Sequence, residues 1–249
     1  MAEQVSEAGH WYHRDGSPAY TYINKKGEEK NTTLRQARKE GLLPSVTTII
    51  RCVAAPGLEN WKAQQVLMAA LTTDRKQDET EQEYIDRIIA DANEQALKAR
   101  EKGTMIHAFV QSGFEGVPLK SEAYRYYLSA KNTLENELNA DVQWTCEKSF
   151  ATERYGGKAD LHSPHYLIDF KTTDKPVDGL KLWDEHYLQL AAYREGLGIS
   201  GAVCGILYIN SNTAESRLLL ADEKELEKGL RCFNALVEYY YAKTRLGEE

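Results

Sequence analysis

Two aspartates and a lysine fall within one short pattern that is typical of a β-hairpin. Residues 157–162 and 166–172 alternate like strands, and a Ser-Pro-His turn separates them. A turn centred on the Pro-His bond places Asp160 directly opposite Asp169, with Cβ atoms about 5 Å apart on one face. Lys171 shares that face because side chains alternate along a strand. Two carboxylates and an ammonium gathered like this are poor choices for a core, and they suit a divalent metal ion held by oxygen ligands.

The remaining pattern predicts an α/β (α+β) fold with a central mixed β-sheet flanked by helices. The first half of the chain is helical, and a β-β-β-α-β-β-α order follows it. Residues 44–50 fit either a strand or a helix that begins at a Ser or Thr cap. Gly103 is expected to end one helix before another begins. Helices are predicted at residues 32–40, 57–71, 81–102, 104–114, 121–139, 184–197 and 223–246, and strands at residues 142–151, 157–162, 166–172, 202–209 and 216–220.

A chain of 249 residues fits one large domain or two small ones. We divide it into an N-terminal hairpin and helical region, residues 1–103, and a core, residues 104–249. The net charge of −7 counts against a nucleic-acid partner. However, residues 1–103 sum to only −1 and residues 104–249 to −6, so local basic surfaces remain available in the first half.

The four cysteines are far apart and form no Cys-x-x-Cys pair, which argues against a zinc site or an iron–sulfur cluster. Free thiols in a reducing compartment fit this pattern. The polar, acidic residues 1–7 lead us to expect neither a signal peptide nor a transit peptide. No apolar run approaches the length of a membrane span. We therefore expect a cytoplasmic protein of a bacterium or of a phage-infected cell, with no membrane partner.

Four further residues are candidates for the same site. Gln189 and Tyr193 share one helix face, from which their polar ends can reach a phosphate or a lysine. His107 follows a Gly-Thr pair and is a candidate metal ligand or neighbour of a ligand. Glu147 lies on the strand before the hairpin, as a further metal contact or a base that orients water, or simply as a surface glutamate.

The chemistry of this set is that of phosphodiester hydrolysis. Asp160 and Asp169 supply the hard oxygen ligands that Mg²⁺ or Mn²⁺ prefers, for one or two ions. Such an ion polarises a phosphate and lowers the pKa of bound water. Lys171 would stabilise the developing negative charge or position the water. An Asp-x-Lys pattern alone is common, so the prediction depends on the whole set.

In this order the motifs Gly103-Thr-x-x-His107, Gly157-x-x-Asp160, Asp169-Phe-Lys171 and Gln189-x-x-x-Tyr193 resemble the PD-(D/E)XK nuclease superfamily. More narrowly, they are similar to its RecB-like exonuclease branch, which includes the mitochondrial genome maintenance exonuclease and phage-encoded exonucleases. Residues 43–49, with Leu-x-x-Trp at 58–61, are similar to the N-terminal region of the mitochondrial and phage members. The proline that names the superfamily is absent before Asp160. The cysteines of the members with iron–sulfur clusters and any helicase motif are absent as well.

The resemblance implies a restriction-endonuclease-like core and a metal-dependent DNA exonuclease. It implies Asp160, Asp169 and His107 as metal-site residues, Lys171 as the catalytic lysine, and Gln189 and Tyr193 as supports for that lysine and the DNA. Trp61 could stack a base. The residues expected to contact DNA are Trp61, Arg100, Lys102, Thr104, Lys158, Gln189 and Tyr193. Residues 1–103 as a region are expected to pack on the nuclease core, residues 104–249, and to contact DNA.

Two alternatives stay open at this point. One is a structure-specific endonuclease of the same fold, and the other is a non-catalytic DNA-binding scaffold in recombination. The expected partner is DNA, single-stranded or at duplex ends, in phage or bacterial replication, recombination or repair. A single-strand annealing or single-strand binding protein is a candidate second partner.

Overall fold

The computed structural model describes residues 9–53, 56–138 and 142–247, with the backbone alone at residues 56–58. Residues 1–7 and Asn139, on which two of the sequence-based expectations rest, lie outside the described residues. Along the chain the elements are β1 (Trp11–Tyr12), β2 (Thr21–Ile23), β3 (Glu29–Asn31), α1 (Leu34–Glu40), β4 (Leu43–Pro44), α2 (Val46–Ile50), α3 (Pro56–Thr72), α4 (Glu81–Phe114), α5 (Ser121–Leu138), β5 (Thr145–Ala151), β6 (Gly156–His162), β7 (Tyr166–Thr173), α6 (Asp184–Gly196), β8 (Val203–Asn210), β9 (Ser216–Leu220) and α7 (Glu223–Thr244).

The main sheet has five strands in the order β5-β6-β7-β8-β9. β7 and β8 are parallel, whereas the other neighbouring pairs are antiparallel. Helix α6 makes the crossover that a parallel pair requires. The predicted mixed sheet with flanking helices is therefore confirmed, as is the β-β-β-α-β-β-α order of the second half.

Apolar side chains cover both faces of the sheet. On one face, Leu167 and Ile206 pack with α2, α6 and α7. On the other face, Ile168 and Leu207 pack with α4 and α5. Neighbouring residues of one strand go to opposite layers because the side-chain period of a strand is two. The N-terminal segment belongs to the first layer through Trp11, and the Tyr12 ring lies over Gly156.

The structure corrects one expectation about the first half of the chain and resolves a second one that the sequence left open. The predicted helix end at Gly103 is wrong, since α4 runs unbroken from Glu81 to Phe114. A Cβ at residue 103 would come within 2.8 Å of Thr172 Oγ1, so Gly103 permits a close approach of α4 to β7 rather than ending the helix. Of the ambiguous residues 44–50, Pro44 ends β4 and residues 46–50 form α2. The first turn of α2 is capped by Ser45, which accepts a hydrogen bond of 3.0 Å from Thr48 N.

The division of the chain after residue 103 falls inside α4. The predicted role of residues 1–103 as a DNA-contacting region stays a prediction. None of the helices within the described ranges is both long and apolar enough to cross a membrane.

Helix α7 packs on α6, and Gly229 permits a close approach of the two helices. A Cβ at residue 229 would lie 2.8 Å from Tyr187 O, a backbone atom that cannot move alone. We expect Gly229→Ala to lower the free energy of unfolding by about 1–2 kcal/mol, since overpacking exceeds the gain in helix propensity of about 1 kcal/mol. Urea denaturation measures the change. Gly201→Ala is the matched control, because a Cβ there meets nothing within 4 Å, and equal stabilities of the two variants would contradict this packing argument.

Candidate active site

The sheet divides between β6 and β7, and the two aspartates lie at the division. The antiparallel ladder joins Leu161 to Ile168 and His162 to Leu167, which is the predicted register. Among the described strand residues it extends no further, while β6 stays paired with β5 and β7 with β8. Beyond the last paired residues, the Asp160 carboxylate replaces a strand partner and accepts a hydrogen bond of 2.7 Å from the backbone N–H of Phe170.

Asp169 is buried with a donor on each carboxylate oxygen. Lys171 Nζ contacts Oδ2, and Gln189 Nε2 donates to Oδ1 at 2.8 Å. The amide oxygen of Gln189 accepts from Lys171 Nζ at 3.0 Å, and its Nε2 lies 3.2 Å from Tyr193 OH. The predicted i, i+4 pair on α6 therefore meets the predicted pair on β7 in one network. The network fixes the lysine ammonium beside the carboxylate.

Helix α4 reaches the site from the opposite side of the sheet. Its residue His107 has Nδ1 3.6 Å from Asp160 Oδ2, and its ring meets that of Phe170 edge-on. The close approach at Gly103, one helical turn earlier, brings α4 near enough for this contact. The structure thus brings together Asp160, Asp169, Lys171, His107, Gln189 and Tyr193, as the sequence predicts.

The pKa values of the two carboxyl groups shift in opposite directions. For Asp160, burial opposes ionisation, but His107, the N–H of Phe170 and Lys171 outweigh it, and the pKa is lowered. For Asp169, burial and the charge of Asp160 raise the pKa despite Lys171. The pKa of Lys171 is raised, because the nearby carboxylates more than offset its own burial. A cation bound between the carboxylates would relieve their repulsion.

The donor set fits a divalent cation that keeps water ligands. Within the described part of the chain, no group of three or more His, Cys, Asp or Glu side chains is arranged to hold a metal ion. Asp160 and Asp169 offer two carboxylates, with the His107 imidazole beside the first. Mg²⁺ is usually bound through one or two carboxylates, several waters and substrate phosphate oxygens, so the two carboxylates of this site are enough. Metal binding at these residues stays a proposal.

Glu147 lies across from Asp160 in the register of β5 and β6, since its neighbours Cys146 and Lys148 pair with Leu161 and Ala159. Its backbone has φ of 50°, in the left-handed region that residues other than glycine rarely adopt. However, its carboxylate forms an ion pair with Lys158.

Both residues of this ion pair were expected to act elsewhere, Glu147 on a metal or water and Lys158 on DNA. Each is instead satisfied by the other, and their expected roles stay predictions.

The other expected DNA contacts are spread along α3 and α4. Lys102 Nζ donates to Asn212 Oδ1 at 2.7 Å, and the Thr104 hydroxyl donates to the backbone carbonyl of Arg100 at 3.1 Å. The Arg100 side chain is exposed. Trp61 is half-buried on α3, which packs on α4. None of these contacts joins the residues to the aspartate cluster, so their binding of DNA stays a prediction.

The sequence interpretation missed two residues next to the lysine. Tyr208 pairs in register with Lys171 on the parallel strand, so both side chains lie on one face. His186 is buried beside Tyr208, with ring centroids 6.0 Å apart. Burial and the charge of Lys171 lower the pKa of His186 to about 4, so the imidazole is neutral at pH 7. The one signal for His186 was its position one turn before Gln189 on a predicted helix.

No protein-family model matches the chain, and no curated protein matches it. Among solved structures it is similar to a "Putative exonuclease" from Eubacterium rectale, with 14% identity over 59% of this chain and 69% of that chain and a TM-score of 0.40. It is also similar to the protein SSO0001, with 15% identity over 72% of this chain and 86% of that chain and a TM-score of 0.28. TM-scores this low do not show a shared fold. The family resemblance therefore stays a prediction.

Gln189 should contribute to stability through its buried hydrogen bonds. Gln189→Met keeps the side-chain length but leaves Asp169 Oδ1 without its donor, and a buried unsatisfied group costs about 1–3 kcal/mol. We expect that loss in the free energy of unfolding measured in urea. Gln82→Met is the control, because Gln82 makes the same kind of bond, 2.9 Å to Asp86, in an exposed position. The control should change stability by less than about 0.5 kcal/mol. A similar small change for Gln189→Met would show that the buried network is not formed in solution.

Proposed function

We propose that the protein is a Mg²⁺- or Mn²⁺-dependent DNA exonuclease that hydrolyses phosphodiester bonds in single strands or at duplex ends. The observation that carries the proposal is the network of Asp169, Lys171 and Gln189 with Asp160 at the divided edge of the sheet. A core does not need two carboxylates and an ammonium held together in this way. Their cost is explained if they bind a metal and a phosphate.

The chain's own residues would divide the work. Asp160 and Asp169 would hold the cation, which supplies Lewis-acid stabilisation of the phosphoryl oxygens and an acidified water. Lys171 would donate to a phosphate oxygen or to the attacking water, since its pKa is raised and it stays protonated at neutral pH. Gln189 would keep the ammonium aimed at that position through the bond of 3.0 Å.

DNA is the substrate that the family resemblance implies, and the site suits its phosphodiester bonds because it combines a lysine with oxygen donors for a metal. We place the reaction in replication, recombination or repair in the cytoplasm of a bacterium or an infected cell, with a single-strand annealing or binding protein as a candidate partner. The network gives no reason to prefer a non-catalytic scaffold, which would gain nothing from clustered carboxylates.

Removing the lysine ammonium should abolish cleavage. We expect Lys171→Met to reduce Mg²⁺-dependent hydrolysis of linear single-stranded DNA by about 10²- to 10³-fold, since one transition-state donor is lost. End-labelled oligonucleotides measure the rate, and circular dichroism checks that the variant is folded. Lys148→Met is the matched control, because Lys148 is an exposed lysine on β5. Wild-type activity in folded Lys171→Met would contradict the assignment of this lysine.

A circular single strand in the same assay separates the candidate activities. A strict exonuclease degrades the linear strand and leaves the circle intact, whereas cleavage of the circle identifies an endonuclease of the same fold. If the folded wild-type protein hydrolyses neither substrate with Mg²⁺ or Mn²⁺, the proposed function is wrong.

Cation binding should depend on both aspartates. We expect calorimetric titration with Mn²⁺ to show binding to the wild-type protein that weakens at least about tenfold in Asp160→Asn and in Asp169→Asn, because each substitution removes a charged ligand. The melting temperature of the wild type should rise with Mn²⁺, because a cation that binds the folded protein and not the unfolded chain stabilises the fold. Asp178→Asn is the control, since Asp178 is 91% exposed on the loop after β7. Equal binding by all four proteins would exclude this metal site and favour the scaffold.

A further inference from the structure

The loop between β7 and α6, which follows the strand that carries Lys171, presents an exposed aromatic ring. Trp183, the last residue before α6, is 47% exposed. The ammonium of Lys181 lies 4.3 Å from the centre of its ring. Among the described residues, no acid forms an ion pair with Lys181, whereas Lys102 and Lys158 are engaged with Asn212 and Glu147. An aromatic face and a cation are therefore presented together.

Three hydrogen bonds fix this loop to the site. Tyr208, the register partner of Lys171, donates from its hydroxyl to Lys181 O at 3.0 Å. Asn210, two residues further along β8, donates to Lys175 O at 2.8 Å. The backbone N–H of Trp183 donates to His186 Nδ1 at 3.1 Å, and His186 also packs against Tyr208. Lys181 O is thus one tyrosine side chain away from β8, the strand that lies next to β7 at about 4.8 Å.

We infer that Trp183 and Lys181 form a binding position for one nucleotide of single-stranded DNA next to the catalytic lysine. The indole stacks on an unpaired base, and the ammonium binds the adjacent phosphate. The inference rests on the proposed function and deepens it, since a stacking position requires a base that is free of its complementary strand. Every base has a face on which an aromatic ring can stack, so binding here tolerates any sequence.

Position distinguishes Trp183 from the other exposed aromatic residues. Tyr239 on α7 is 51% exposed and has the Lys243 ammonium 5.5 Å from its ring centre. The two pairs have the same chemistry. However, only the pair on the β7–α6 loop is tied by hydrogen bonds to the partner strand of Lys171. Tyr239→Ala is therefore the matched control for Trp183→Ala.

The test measures binding by fluorescence anisotropy in the Lys171→Met background with Mg²⁺ present. Labelled thymidine oligomers and abasic oligomers of equal length are compared. We expect Trp183→Ala to weaken binding of the thymidine oligomer by about 5- to 150-fold and to leave abasic binding unchanged. Trp183→Phe should restore most of the loss, because it restores an aromatic face. Lys181→Ala should weaken binding of both oligomers and lower the slope of log affinity against log salt by about 0.7.

The outcomes separate the inference from the function on which it rests. If the wild-type protein cleaves DNA but Trp183→Ala binds thymidine oligomers as tightly as Tyr239→Ala does, the stacking position is wrong and the nuclease stands. An equal loss on thymidine and abasic oligomers also overturns it, because that loss would come from structural damage. If the wild type neither binds nor cleaves any of these strands, both proposals fail.

Discussion

The contact between Lys171 and Asp169 is the interaction on which the rest of the site depends. Asp169 is 3% exposed, so its charge can be tolerated only with donors on both oxygens. Lys171 supplies one donor and Gln189 the other. Gln189 can reach Asp169 only if α6 crosses this face of the sheet at a fixed distance from β7. The packing of α7 on α6 at Gly229 maintains that distance. The geometry of the site therefore depends on the packing of the core.

The division of the sheet explains how two carboxylates come together without becoming core. β7 leaves β6 after two register pairs but continues along β8. The backbone N–H of Phe170, freed at this point, is satisfied by Asp160 rather than by a strand. A continuous ladder would have paired the two backbones here. The gap lets His107 approach from one layer and Gln189 from the other, so the site draws on both faces of the sheet.

Local pattern predicted the parts of the site that are close in sequence or follow a regular period. The hairpin register, the Asp160–Asp169–Lys171 trio and the Gln189–Tyr193 pair all follow from alternation or from helical spacing. Gly103 was misread as a helix end because its cause, the close passage of β7, is a contact between distant residues. The ion pair of Glu147 with Lys158 was missed because the two residues lie on different strands, and the sequence pattern does not show which charged side chains pair between strands. Trp183 has no period to reveal it, since it lies in a loop.

The unbroken course of α4 has a mechanical consequence. A helix that continues through Gly103 cannot hinge there without breaking its own hydrogen bonds. Glu81, at its first turn, is thus held about 39 Å from His107, given a rise of 1.5 Å per residue. Helix α4, with α3 packed against it, therefore joins its first turn to the aspartate pair through one continuous element. Any molecule that contacts the first turn of α4 is therefore held at a fixed distance from Asp160 and Asp169.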